Sequence, residues 1–299
     1  MRPAVSLLLF TVLSGLGFGT LAAAGLGLAG GWVWPLGYGF ALAGLLASTF
    51  HLAHPMRALY AFRNGRHSWL SREGWAAVLT LLLLAPVALA DLAGSPGLRG
   101  PGWGVPGALM AAVTVGSTSM IYAQLRSVPR WSHWSTPALF LAFAATGGAI
   151  LAAPGAAAAL VALGLSGLLG WSIRTADRRE AALGIDTGWA TGLGHLGRVR
   201  SFERPVTGTT WLTREVAGDP PAPRWRRLLR LAAVLLSGAV PAALLLGGAP
   251  RGVALAVHLA GAFTARWLFF AEAGHVAALH HGLPFGAARL TGGAAARAQ

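Results

Sequence analysis

The stretch that decides the fold is Ser48-Thr49-Phe50-His51-Leu52-Ala53-His54-Pro55-Met56-Arg57-Ala58, which is followed by Ser68-Trp69-Leu70-Ser71-Arg72-Glu73. It joins two long apolar segments and places a histidine, several arginines and a carboxylate where a hydrophobic run ends. An ionisable side chain close to membrane depth is energetically costly, so it marks a functional site by default. This corner therefore predicts a membrane fold with a polar site near one surface.

The composition agrees with a membrane protein. The chain has 299 residues, of which 55% are hydrophobic and only 11% are charged, and its mean hydropathy is +0.60. A soluble domain carries roughly 25% charged residues, so this chain is too poor in charge to cover a surface that faces water. With no cysteine, it has no thiolates for an iron–sulfur cluster or a zinc site, and we expect no metal in this chain.

The apolar runs predict an all-α integral membrane bundle of eight transmembrane helices, within one membrane-anchor domain at 1–299. Each run approaches or exceeds the ~20 residues that a helix needs to cross the hydrocarbon. The first run could instead be a signal peptide cleaved near Ala22-Ala23-Ala24, but its apolar core is longer than the usual ~7–15 residues, which favours a retained span. The predicted spans are 4–28, 36–53, 74–93, 105–126, 136–153, 155–173, 228–247 and 251–279.

The arginines predict the orientation of the bundle. All 23 basic residues are arginine, and 20 of them lie in the termini, in the loops 54–73, 127–135 and 174–227, or beside those loops. The opposite loops hold Arg99 and Arg251. The positive-inside rule therefore predicts a bacterial inner membrane protein with both termini in the cytoplasm. The same placement explains the net charge of +14 without a nucleic-acid partner.

The polar loop 174–227 is predicted to be a docking surface for a partner protein. Its Gly192-Leu193-Gly194-His195-Leu196-Gly197 superficially resembles a dinucleotide-binding fingerprint, but neither a strand nor a helix-opening pattern flanks it. Tryptophans and arginines alternate along the loop, and that composition is typical of interfaces. We expect Arg198, Arg200 and Arg204 to contribute to docking, although a merely solvated loop is the simpler alternative.

At the corner itself, local signals predict a short interfacial helix from Met56 to Phe62. Pro55 suits the first helical position, and Ser68 or Ser71 can cap the third span, which would leave Glu73 in its first turn. His51 would lie about one turn inside the membrane boundary. Simpler roles exist for both residues, because Glu73 could complement the helix dipole and His51 could bond to a neighbouring backbone group.

Together, however, these residues suit the oxidation of a quinol. That reaction releases two protons with two electrons, so its site needs proton acceptors near the membrane surface, and histidine and carboxylate are suitable groups. We therefore predict His51 and Glu73 as the catalytic residues. Other polar side chains are expected on the same side of the membrane, and the predicted quinol-binding set is His51, Arg57, Glu73, Tyr122 and Glu272.

The corner motif, together with Ile121-Tyr122 and Val128-Pro129-Arg130-Trp131, resembles the membrane-anchor subunit of dimethyl sulfoxide reductase. The resemblance implies an anchor that oxidises menaquinol or another quinol in anaerobic respiration. It also implies an iron–sulfur (ferredoxin-like) partner subunit, which receives the electrons, and a molybdopterin catalytic subunit. It assigns the quinol-site histidine to His51 and the functional carboxylate to Glu73. It leaves the terminal acceptor and the type of quinol open.

Two other classes of membrane protein are alternatives. A haem b-carrying cytochrome subunit would need two histidines at matched depth, and His51 with His275 would be the candidate pair. A polytopic transporter would carry binding groups near the middle of the membrane, often within inverted repeats, and neither feature is evident in the sequence.

Overall fold

The computed structural model describes residues 4–50, 55–95, 101–199, 222–280 and 285. Within these ranges the chain forms α-helices and short 3₁₀ helices and no strand. The long helices are α1 Val5–Gly25, α2 Val33–Thr49, α3 Trp69–Leu92, α4 Pro101–Ala123, α5 Ser135–Ala152, α6 Gly155–Ala182, α7 Pro223–Leu246 and α8 Arg251–Ala271. Shorter helices cover Pro55–Asn64, Thr187–Thr191, Gly194–Leu196 and Ala277–His280.

The prediction of an all-helical membrane bundle is confirmed for the described residues, with one difference in the number of spans. Seven of the long helices are long and apolar enough to cross a membrane. The exception is α2, which has 17 residues and is the shorter apolar helix of the set. Large side chains that face outward, including Leu82, Leu89 and Leu160, are mainly apolar and exposed, as expected for a surface that contacts lipid.

Helix α1 lies at the centre of the bundle and packs against α2, α4, α5 and α8. Its packing against α5 depends on glycine. A Cβ on Gly19 would overlap the backbone of Ala144, and a Cβ on Gly148 would overlap the carbonyl group of Gly19. Small residues of this kind let helix backbones approach closely where lipid provides no hydrophobic driving force.

Helix α7 contains a π-helical segment at Leu235–Ala239. Gly261 of α8 packs directly against this segment, because a Cβ at Gly261 would overlap the backbone at Ser237. The Nδ1 atom of His258 lies 2.6 Å from the carbonyl oxygen of Ser237 and must donate to it, since a carbonyl only accepts. The neutral ring therefore presents Nε2 as an acceptor. Segments of this type often occur at functional sites in helices.

The predicted polar loops are shorter in the structure than in the sequence analysis. Helix α3 begins at Trp69, so Glu73 lies just beyond the first turn instead of within it. Helix α6 continues to Ala182 and α7 begins at Pro223, which narrows the predicted loop 174–227 at both ends. The glycine-rich motif forms a helix end at Gly192 and a 3₁₀ turn, and no strand precedes it within the described residues.

The corner after α2 is helical as predicted, although the helix is of the 3₁₀ type and covers Pro55–Asn64. The predicted cap is present, because the Ser68 hydroxyl accepts a hydrogen bond from the backbone N–H of Ser71 at 3.4 Å. The side chain of Trp75 donates to the Phe62 carbonyl at 3.0 Å. These contacts fix the corner against the start of α3.

Candidate functional site

Glu73 is a buried carboxylate inside the bundle. It lies on the stripe of α3 that is enclosed by α4, together with Ala76, Ala77, Thr80 and Leu84, and it is 3% exposed. Its Oε1 atom accepts a hydrogen bond from the Thr118 hydroxyl of α4 at 2.5 Å. The Thr118 hydroxyl also lies 3.1 Å from the Thr114 carbonyl oxygen. When Glu73 is protonated, Thr118 can accept its proton and donate to that carbonyl.

The neighbouring arginine of the corner does not pair with this carboxylate. Arg72 is exposed, and its guanidinium donates to the carbonyls of Gly65 at 3.0 Å and Arg66 at 2.6 Å and stacks on the Trp69 ring. Its role is to hold the corner together, whereas the partner of Glu73 among the described residues is the neutral Thr118. His51 lies outside the described residues, and the side chain of Arg57 is likewise not described.

Tyr122 lies at the centre of an aromatic layer near the end of α4. It is 7% exposed, and its ring centroid is 5.4 to 5.7 Å from those of four aromatic side chains. It also lies within electrostatic range of Glu73 and of Arg266. This layer joins α4, the 124–134 segment, α5 and α8, and the four neighbours of Tyr122 are Trp131, Phe140, Phe269 and Phe270.

Arg266 is the residue that the sequence analysis did not assign to the site. It lies on α8, it is 7% exposed, and the centre of its guanidinium is 3.6 Å from the Phe140 ring centroid. Its Nε atom is buried and has no hydrogen-bond partner in the described part of the chain. The available signal was a lone charged residue within an apolar span, a combination that marks functional residues in membranes.

Two neighbouring cavities meet at this arginine. The first lies between α1, α4, α5 and α8, has a volume of about 20 Å³, and has a polar lining that includes Thr11, Ser14, Thr118 and His258. The second lies between α5, α6, α7 and α8 and has a volume of about 70 Å³. On the scale of about 10–15 Å³ for one water molecule, the first holds about one water and the second several. Phe140, Phe143 and Arg266 line both cavities.

Two arginines and three carboxylates form an ion cluster at one end of the second cavity. Arg130 binds Asp177, Glu180 and Glu272 at 2.8 to 2.9 Å, and Arg230 binds Asp177 and Glu272 at 2.6 to 3.1 Å. Apart from Asp177, which is 44% exposed, these side chains are at most 18% exposed. The cluster ties the 124–134 segment to α6, α7 and α8.

The cluster determines the role that the structure gives to Glu272. Both of its carboxylate oxygens bind arginine, so the residue predicted to bind quinol instead joins α8 to α7 and to Arg130. Burial lowers the pKa of the Arg130 guanidinium, but Glu272, Glu180 and Asp177 raise it by more, and the net shift is upward. Arg130 therefore keeps its charge throughout the physiological range.

Two histidines beside the cluster are held in the neutral form. The Nδ1 atom of His133 accepts a hydrogen bond from the Ser135 backbone at 3.2 Å, and burial and then Arg179 lower its pKa. The Nδ1 atom of His275 accepts from the Ala277 backbone at 3.0 Å, and burial lowers its pKa. Both side chains cap backbone N–H groups only while Nδ1 carries no proton.

Comparison with known proteins gives one family and one relative. A family model described as DMSO reductase anchor subunit (DmsC) matches residues 36–162. A membrane-complex relative, a sulfite dehydrogenase subunit of Allochromatium vinosum, is 29% identical over 271 residues, which cover 80% of this chain and 82% of that protein. No solved structure matches the chain. The range matched by the family model includes Glu73, Thr118 and Tyr122, whereas Arg266 and Glu272 lie beyond it.

Proposed function

Because the chain is related to the membrane-anchor subunits of dimethyl sulfoxide reductase, we propose that it anchors a molybdopterin oxidoreductase complex and oxidises quinol. In this proposal the quinol is menaquinol or a similar molecule, and the bundle crosses the bacterial inner membrane eight times, with α2 as the shortest span. Both termini face the cytoplasm, as the arginine distribution favours.

The observation that carries this proposal is the buried carboxylate of Glu73 and its bond to Thr118. Glu73 lies four residues after the start of α3, which is about 6 Å along the helix axis. This depth suits a group that receives protons from a lipid-soluble quinol close to the membrane surface. A carboxylate that is bonded to a neutral hydroxyl, instead of being paired with arginine, remains available as a base.

The proposed reaction breaks both O–H bonds of the quinol. One proton goes to Glu73 and the other to His51, and the two electrons pass one at a time to the iron–sulfur partner subunit, which leaves the quinone. The molybdopterin subunit then uses the electrons on its own substrate. Glu73 can return its proton through Thr118, whose hydroxyl is able both to donate and to accept.

The docking surface for the partner is proposed on the side that carries the polar loops. Arg198 is exposed there, and so are large apolar side chains at Trp189, Leu193 and Leu196. Exposed apolar groups that have arginine beside them are typical of protein interfaces. The predicted docking residues Arg200 and Arg204 lie outside the described residues.

The relative from Allochromatium vinosum favours a second candidate, in which electrons flow in the opposite direction. A sulfite dehydrogenase takes electrons from its substrate, so an anchor in such a complex would deliver them to quinone. The same site would then work in reverse, with Glu73 donating a proton to the reduced quinone. The direction depends on the partner subunits, whereas the quinone chemistry is the same in both cases.

Both directions can be tested with the complex purified from membranes. If quinol is the donor, menadiol should reduce the iron–sulfur clusters of the partner, as observed by their absorption and spin resonance. If quinone is the acceptor, sulfite should drive the reduction of menadione. The chain without its partners should bind menadione but reduce no terminal acceptor. Failure of the complex to react with either quinone species would refute the proposal.

A further inference from the structure

Arg266 has no carboxylate partner among the described residues, although it lies inside the bundle. It is five residues before the end of α8, which is about 8 Å along the helix axis, and thus at a depth similar to that of Glu73. The Phe140 ring covers one face of the guanidinium, but this cation–π contact does not supply an acceptor for the buried Nε–H. A buried donor without a partner is costly, so a ligand that supplies an acceptor would bind favourably here.

The second cavity offers a suitable space for such a ligand. Its walls are mostly apolar and aromatic, and they include the side chains of Leu139, Phe140, Phe143, Leu169, Ile173 and Phe269. Its volume of about 70 Å³ corresponds to several water molecules, which is comparable to the space that a flat ring requires. An apolar cavity with a few well-placed polar groups is the usual form of a small-molecule site.

We propose that this cavity holds the ring of the quinone and that the Arg266 guanidinium donates a hydrogen bond to one of its oxygens. The inference rests on the proposed function and adds the place where the ring binds. The contacts of Arg266 support it, since this side chain alone combines a buried cation, an unpartnered Nε atom and a position on both cavities among the described residues.

The two cavities suggest how binding and proton transfer are divided. Arginine stays protonated at all relevant pH values, so Arg266 cannot accept the quinol proton. Its charge instead stabilises the quinol oxygen after the proton has left, because an opposite charge nearby favours the anionic form. Thr118, the partner of Glu73, lines the first cavity together with Arg266. The proton can therefore leave on the side of Arg266 that faces Glu73.

The alternative is that Arg266 only packs against Phe140, with water as its hydrogen-bond partner. In that case its replacement would change stability but not quinone affinity. The matched control is Arg251, an arginine at the other end of α8 whose guanidinium donates to the carbonyls of Ile150 and Leu151. Replacement of Arg251 removes the same functional group from the same helix without touching either cavity.

The test measures the affinity of the purified complex for menadione by titration calorimetry, together with KM and kcat for menadiol. Arg266→Gln is expected to weaken menadione binding by about 10- to 100-fold, the effect of losing a hydrogen bond to a charged donor. Arg266→Lys should restore part of the affinity, and Arg251→Gln should leave it unchanged. Ala176→Leu, which fills the second cavity from α6, should weaken binding while Arg266 and Glu73 stay in place.

The outcomes separate this inference from the proposed function. If the wild-type complex reacts with menadiol and both Arg266→Gln and Ala176→Leu bind menadione with wild-type affinity, the ring binds elsewhere and the inference is wrong. If the wild-type complex neither binds nor oxidises quinol, the proposed function itself fails. If Arg266→Gln does not assemble, an unchanged affinity in both Arg266→Lys and Ala176→Leu refutes the inference equally well.

Discussion

Arg130 and Glu272 are 142 residues apart in the sequence, yet their side chains form an ion pair of 2.8 Å. Arg130 belongs to the segment between α4 and α5, and Glu272 directly follows α8. Because Glu272 also binds Arg230 of α7, this pair connects the last two long helices to the middle of the chain. The aromatic layer around Tyr122 and the second cavity both lie next to this connection.

The first prediction concerns the stability of this connection. Glu272→Gln and Arg130→Gln should each lower the free energy of unfolding by about 3–5 kcal/mol, since removal of one member of a buried ion pair leaves the other uncompensated. The measurement is thermal unfolding of the detergent-solubilised complex. Arg126→Gln is the control, because Arg126 is exposed in the same segment. Equal loss of stability in all three variants would contradict the assigned role of the cluster.

The sequence is sufficient to predict the helical bundle, because long apolar runs have few alternatives in a membrane. It also places Glu73 and Tyr122 on the same side. It does not predict the cluster of Arg130, Asp177 and Glu272, since ion pairs between distant segments leave no local pattern. For the same reason the sequence could not show that both oxygens of Glu272 bind arginine, or that α6 extends far enough to carry Asp177.

The second prediction concerns the docking surface. Replacement of Arg198, Arg200 and Arg204 by alanine should reduce recovery of the iron–sulfur partner during co-purification. The loss should be greater at high salt, because screening weakens the remaining charge interactions. The control replaces Arg63 and Arg66, which lie at the corner after α2. An unchanged yield of the complex at every salt concentration would show that the loop is only solvated.

The third prediction concerns pH. Burial lowers the pKa of His275, so the folded protein binds its proton less readily than the unfolded chain does. The stabilising contribution is therefore present above the usual histidine pKa of about 6.5 and is lost as the pH falls through that value. The melting temperature should fall between about pH 7.5 and about pH 5.5, and it should fall less in His275→Asn.

His275→Asn tests this effect because an asparagine oxygen can still accept the Ala277 N–H while it carries no titrating proton. His195→Asn is the control, since His195 is exposed in the loop. If the melting temperature of His275→Asn depends on pH as strongly as that of the wild type, another group is responsible.

The fourth prediction concerns topology. A reporter that fluoresces only in the cytoplasm should be bright when it is fused after Gln299, because eight spans and the arginine distribution place both termini on that side. A second fusion in the segment between α3 and α4 should be dark. A dark C-terminal fusion together with an active periplasmic reporter would reverse the orientation and place the docking surface outside the cytoplasm.

The last prediction concerns Glu73 and Thr118. Glu73→Gln keeps the shape of the side chain and removes the base, so kcat for menadiol oxidation should fall by about 10²- to 10⁴-fold with little change in menadione affinity. Thr118→Val removes the hydroxyl that relays the proton, and its kcat should fall less because the base remains. Thr80→Val is the matched control, since Thr80 lies two turns further along α3 and bonds to Thr114 instead. Wild-type turnover in Glu73→Gln, or equal losses in Thr118→Val and Thr80→Val, would place the base elsewhere.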